Sequence, residues 1–157
     1  MPAADLSLLI DAARVAGRVA TSYTGPAAQR WDKPGGAGPV TEADLAVNDV
    51  LASALRTARP DYGWLSEETE DDPQRLGHEA VFIIDPIDGT RNFVEGGRTW
   101  AISIAVAHQG RITAAAVYLP LRDKLYTAAL GAGAALNGAA LRVTGGPMSS
   151  GTKVLAT

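Results

Sequence analysis

The octapeptide Ile83-Ile84-Asp85-Pro86-Ile87-Asp88-Gly89-Thr90 concentrates chemistry in one short stretch. The apolar run Val81-Phe82-Ile83-Ile84 predicts a buried strand that delivers Asp85 at its end. Pro86 fixes the backbone direction there, and Asp88 follows three residues after Asp85, ahead of a predicted short helix. Two carboxylates at that spacing on a rigid turn can bracket divalent cations. Gly89 and Thr90 would present backbone N–H groups at the helix start, where phosphate is favoured. A cation site adjoining a phosphate site is what phosphoryl transfer requires. The plainer reading makes Asp85 a strand end, Asp88 an N-cap and Asp-Gly a turn.

Two further segments carry carboxylates. Ser66-Glu67-Glu68 follows a strand candidate, and Glu67 there could complete a metal shell with Asp85. The alternative is a solvated acidic loop running on through Asp71-Asp72-Pro73. In Val40-Thr41-Glu42-Ala43-Asp44, the three-residue spacing of Thr41 and Asp44 matches a capping box. The functional reading is that Asp44 accepts a hydrogen bond from Thr90 and helps orient an attacking water.

Composition narrows the chemistry. The 157 residues contain no cysteine and two histidines far apart in sequence, His78 and His108. Thiolate nucleophiles, disulfides and cysteine-based metal sites are therefore excluded, and any metal would be held by oxygen, as magnesium prefers. A net charge of −3 with scattered basic residues offers no footprint for nucleic acid. No segment approaches the roughly 18 apolar residues of a membrane span. Asp5, Asp11, Arg14 and Arg18 interrupt the N-terminal apolar residues, unlike a secretory signal, so a cytoplasmic location is expected.

The elements that must position these residues read as an α+β domain. Leu6, Leu9, Ala13, Ala16, Ala20 and Tyr23 recur at helical spacing, with Asp5 placed to cap a first helix. Residues 24–39 are rich in Gly and Pro and predict a loop or irregular strand. A second helix should run from Thr41 to Ala58, burying Ala46, Val47, Val50, Leu51, Ala54 and Leu55, and stop at Pro60. Strands are expected at 62–65, 81–84, 99–107, 111–119 and 124–129. His108-Gln109-Gly110 would link a hairpin, and Asn137-Gly138 is a strong hairpin-turn signal. The expected architecture is two helices packed on a mostly antiparallel sheet. Val154-Leu155-Ala156-Thr157 reads as a strand just beginning, as though the functional unit continued.

Together the three acidic segments resemble the inositol monophosphatase superfamily, along essentially the whole chain. The likeness runs from Val40-Thr41-Glu42-Ala43-Asp44 through Glu67-Glu68 and residues 85–90 into Asn92-Phe93. It continues in Gly131-Ala132-Gly133-Ala134 and Leu136-Asn137-Gly138. The resemblance implies the first domain of a layered αβαβα sugar-phosphatase fold, with residues 1–157 as its metal- and phosphate-binding part and the second domain absent. It implies a magnesium-dependent phosphomonoesterase using two or three Mg2+ ions, often homodimeric. Glu67, Asp85 and the Ile87 carbonyl would hold the activating ion, Asp85 and Asp88 a second, with a third near Glu67. Thr90 and Asp44 would activate water, with Glu67 beside them, and Asp88, Gly89 and Thr90 would form the phosphate site. Lys33 stands where relatives often place a lysine. The family's Trp-Asp-x-Ala-Ala-Gly motif has no counterpart, since Trp31-Asp32 is misplaced and followed by Lys33-Pro34. Arg91-Asn92-Phe93 favours an inositol or related polyol phosphate as substrate. Histidinol phosphate and 3′-phosphoadenosine 5′-phosphate are the alternatives, and a non-catalytic metal-binding module is an alternative of another class.

Overall fold

In the computed structural model of the chain, which describes residues 2–23, 30–32 and 39–143, helix α1 spans Pro2–Ser22 and helix α2 spans Glu42–Ala58. Pro2 takes the first position of α1, where a missing N–H costs nothing. Asp5 is therefore not the cap that its position suggests. It lies one turn inside, 3% exposed, and accepts hydrogen bonds from Arg59 Nε and Tyr62 Oη, each at 3.2 Å. The carboxylate ties α1 to the end of α2.

In α2 the capping box forms as the Thr41/Asp44 spacing predicts. The helix buries Val47, Leu51 and Leu55, whereas Ala46 and Val50 are only half-buried and Ala54 is exposed. Ala43, Asp44 and Asn48 occupy the buried face instead. The inward stripe is thus rotated toward polar residues, and that rotation brings Asp44 and Asn48 to the sheet's carboxyl edge. Short strands β1 (Arg30–Asp32) and β2 (Pro39–Thr41) pair antiparallel just before α2.

The main sheet has seven strands in chain order: β3 (Gly63–Ser66), β4 (Ala80–Asp88), β5 (Ala101–His108), β6 (Arg111–Leu119), β7 (Lys124–Ala129), β8 (Gly133–Leu136) and β9 (Ala139–Ala140). Every neighbouring pair is antiparallel except β3 with β4. The mostly antiparallel sheet is as expected, but this one parallel pair is not. The β3–β4 connection crosses back over the edge through a 3-10 turn at Pro73–Gly77, so both strands end at the same side of the sheet. Gln109-Gly110 and Asn137-Gly138 both take positive φ at each turn residue, the geometry that matches the strand twist in two-residue hairpins.

Alternation along the strands sends Phe82, Ile84, Ile102, Ile104, Val106, Ala114 and Ala116 into the layer under the helices, where all are buried. Helix α1 lies over β5, β6 and β7, and α2 lies over β4. Phe82 packs between Tyr62 and Trp64, with ring centroids 5.1 and 6.4 Å away. By the same alternation Ile83 and Asp85 face the other side of the sheet. Among the described residues no helix is long and apolar enough to cross a membrane.

Candidate functional site

Parallel pairing of β3 and β4 brings the acidic residues together. Ser66 lies opposite Ile84, and the Glu67 N–H donates to the Ile84 carbonyl at 3.1 Å, extending the ladder by one residue. Glu67 is thereby placed at Asp85. A simple hairpin would have carried Glu67 to the opposite end of β4. Two residues secure this turn: Asn48, which the sequence did not single out, and Ser66, to which it assigned no role. Ser66 Oγ donates to Asn48 Oδ1 at 2.7 Å, both 5% exposed, and the Glu68 N–H donates back to Ser66 Oγ at 3.3 Å. The signal available was Asn48 standing four residues after Asp44, on one helix face.

The strand does not stop at Asp85 but continues to Asp88 through an irregularity. Asp85 pairs with Ser103 and Asp88 pairs with Ala101, so three steps along β4 match two along β5. Pro86, which has no N–H to contribute to a ladder, sits inside this bulge. The bulge turns Ile87 inward, 2% exposed, and leaves Asp88 exposed at the rim. Gly89 follows at φ +90°, a left-handed conformation that suits glycine, and opens the short helix α3 (Thr90–Val94). Gly89, not Asp88, is the N-cap, and it makes no side-chain cap bond, so the plainer reading of Asp88 fails.

The carboxylates repel one another. Burial first, then the charges of Glu67 and Asp88, push Asp85 up to about 7, and a side-chain hydrogen bond that protonated Asp85 donates to Glu67 and the charge of Asp44 add to the effect. Asp44 is also pushed above the usual carboxylate range by burial, against hydrogen bonds from Thr41 and Thr90 that pull it down. Among the described residues no group of three or more acidic or imidazole side chains is arranged to hold a metal ion. What the structure presents is an open, oxygen-only set of donors. A hard cation fits that donor chemistry.

The two readings of Asp44 turn out to use different oxygens. Oδ2 accepts from the Thr41 N–H at 2.8 Å and from Thr41 Oγ1 at 2.5 Å. Oδ1 accepts from Thr90 Oγ1 at 3.2 Å, and the same hydroxyl lies 2.9 Å from the Ile87 carbonyl. Asp44, Glu67, Asp85, Ile87, Asp88, Gly89 and Thr90 therefore gather at one corner of the sheet. Beside it a cleft of about 530 Å3 is lined by Asp88, Gly89, Arg91, Trp100 and Leu119 among others. Lys33 and residues 154–157 lie outside the described residues.

The profile of the inositol monophosphatase family matches residues 3–157. An inositol-1-monophosphatase of Mesorhizobium japonicum is 38% identical over 146 residues, which cover 89% of this chain and 53% of that protein. The crystal structure of the extragenic suppressor protein SuhB from Bartonella henselae aligns with a TM-score of 0.84 at 37% identity, over 90% of this chain and 55% of that one. An IMPase/NADP phosphatase complexed with NADP and Ca2+ aligns with a TM-score of 0.79 at 25% identity, over 88% and 52% of the two chains. The chain spans about half the length of these relatives.

Proposed function

The chain belongs to the inositol monophosphatase family, and on that premise we propose that it is the metal- and phosphate-binding domain of a magnesium-dependent phosphomonoesterase acting on a small polyol phosphate, inositol monophosphate first. The observation that carries this is the gathering of Glu67, Asp85 and Asp88 where β3 runs parallel to β4, with the Asp44–Thr90 hydrogen bond alongside; burial and the neighbouring charges push Asp85 up to about 7. Such crowding of carboxylates is costly without a cation and is expected where one binds. The solved relative holding Ca2+ together with NADP is consistent with a cation beside a phosphorylated ligand.

In this reading Glu67, Asp85 and the Ile87 carbonyl would hold one Mg2+, Asp85 and Asp88 would hold a second, and a third would lie near Glu67. Bound ions would supply Lewis acidity toward the phosphoryl and leaving-group oxygens. Thr90 has one hydroxyl proton, and Asp44 Oδ1 and the Ile87 carbonyl both stand ready to accept it. Its lone pairs are then free to accept from a water, and Asp44 is the final proton acceptor. Burial keeps Asp44 more basic than an ordinary carboxylate. The amides of Gly89 and Thr90, with Asp88 beside them, orient the phosphate. The proposal extends to a cytoplasmic homodimer by family likeness alone, and to a second domain that completes the pocket.

Phosphate release by the full-length natural protein tests this, with and without Mg2+, over inositol phosphates, histidinol phosphate and 3′-phosphoadenosine 5′-phosphate. Release that needs Mg2+ and is fastest on a polyol phosphate is expected. No release from any of them would exclude a phosphatase.

A further inference from the structure

The stretch between α3 and β5, residues 95–100, has no strand or helix of its own, yet Thr99 and Trp100 form one wall of the cleft beside Asp88 and Gly89. Hydrogen bonds from two sides fix it. On the α3 side, the Gly97 N–H donates to the Asn92 carbonyl at 2.8 Å, and the Thr99 N–H donates to Asn92 Oδ1 at 3.4 Å. A Cβ at Gly97 would overlap Asn92 Oδ1, so the loop can come this close only with glycine there.

On the other side stands the turn between β6 and β7. Arg122 Nη2 donates to Thr99 Oγ1 at 2.6 Å, and Arg122 Nε donates to the Arg98 carbonyl at 3.2 Å. Arg98 answers in the reverse direction, with Nη2 donating to the Leu121 carbonyl at 2.6 Å. Two guanidinium groups thus clasp two loops reciprocally. The planar fork is pre-organised to hold two acceptors, so it loses less freedom in doing so than a flexible ammonium group would.

The wall supports the turn that carries the phosphate-facing amides. A Cβ at Gly89 would lie 3.4 Å from the Thr99 carbonyl oxygen and 3.6 Å from Trp100. Asp88 pairs with Ala101, and the Trp100 ring stands edge-on to Phe93 of α3 with centroids 5.0 Å apart. A shift of residues 98–100 would therefore be passed directly to residues 88–90. The clasp itself is made at the protein surface, where hydrogen bonds add little to global stability but still restrict a loop.

We propose that Arg122, in reciprocal clasp with Arg98, is a positioning residue for the turn Asp88-Gly89-Thr90, holding its amides and carboxylate in register for phosphate. This rests on the reading of that turn given under the proposed function. The test uses Arg122→Ala, Arg122→Lys and Thr99→Val in the full-length natural protein, with turnover and amide hydrogen exchange as separate readouts.

Arg122→Ala is expected to lower kcat about tenfold, as a small misplacement of a reacting group does, with little change in melting temperature. It should also speed exchange at the Phe93 and Gly97 amides, whose acceptors are Gly89 and Asn92. Arg122→Lys should recover only part of the loss, and Thr99→Val, which spares the bond to the Arg98 carbonyl, should fall between. A merely structural clasp would lower the folded fraction and leave kcat per folded molecule unchanged. That result, or unaltered exchange at both amides, overturns the proposal. If the wild-type protein releases no phosphate from any substrate, the phosphatase reading fails on its own account. Exchange at Phe93 and Gly97 then decides the clasp, faster exchange supporting it and unchanged exchange refuting it.

Discussion

Thr90 Oγ1 and Asp44 Oδ1 are 3.2 Å apart although 46 residues separate them in the chain. The other Asp44 oxygen is held by Thr41 at the start of α2. Helix capping and a place beside the proposed phosphate site are therefore not competing explanations of Asp44. The cap orients the carboxylate, and the free oxygen then meets Thr90.

Because the two threonines sit on different oxygens of Asp44, their replacements should separate. Thr41→Ala removes a cap and should lower stability by about 1 kcal/mol, measured by urea unfolding. Thr90→Val keeps the shape but deletes the hydroxyl, and should lower kcat about 100-fold with a smaller change in stability. Wild-type turnover by Thr90→Val would exclude the proposed water relay.

Asp85→Asn and Asp88→Asn each remove one charge from the proposed cation site with almost no change in side-chain volume. In the full-length natural protein, phosphate release should fall at least about 100-fold, the size of several kcal/mol of lost charge stabilisation. Asp85→Asn should unfold no earlier than wild type in Mg2+-free buffer, since it also relieves repulsion from Glu67 and Asp88. Near-normal turnover in either variant would count against the site.

The pH dependence has a defined sign. In the unfolded chain Asp85 titrates near 3.8, and in the folded chain near 7. Between those values the folded state binds more protons, so this group's contribution to stability falls as pH rises from about 4 to about 7. Asp44, also raised, acts in the same direction. A magnesium ion at the proposed site would bind the ionised form, so adding it should raise the melting temperature more at pH 8 than at pH 5. Melting curves across that range in EDTA and in Mg2+ check this, and an equal response to Mg2+ at both ends would contradict it.

Arg59→Ala should leave the Asp5 carboxylate, 3% exposed, without its guanidinium partner and with Tyr62 still donating. A loss of about 1–3 kcal/mol is expected for a buried polar group deprived of a partner. Chemical denaturation of Arg59→Ala beside Arg59→Lys measures it, and a loss no larger than that of an exposed arginine such as Arg56→Ala would show that Asp5 does not depend on Arg59.

Much of this protein could be read from local spacing alone. The acidic corner at 85–90, the Thr41/Asp44 box, the apolar run at 81–84 and the Asn137-Gly138 turn are each encoded within a few residues. Backbone sterics and side-chain reach act over that same short range, so the sequence by itself determined them. Tertiary structure decided what lies beyond it: the parallel pairing that lays Glu67 at Asp85, the bulge that separates Asp85 from Asp88, and the burial of Asp5 and Asn48. It alone brought Thr90 to the free oxygen of Asp44. Each of these depends on which strand or helix lies alongside which, and in what register. That choice is made by burying the whole apolar layer at once, and no single stretch of sequence contains it.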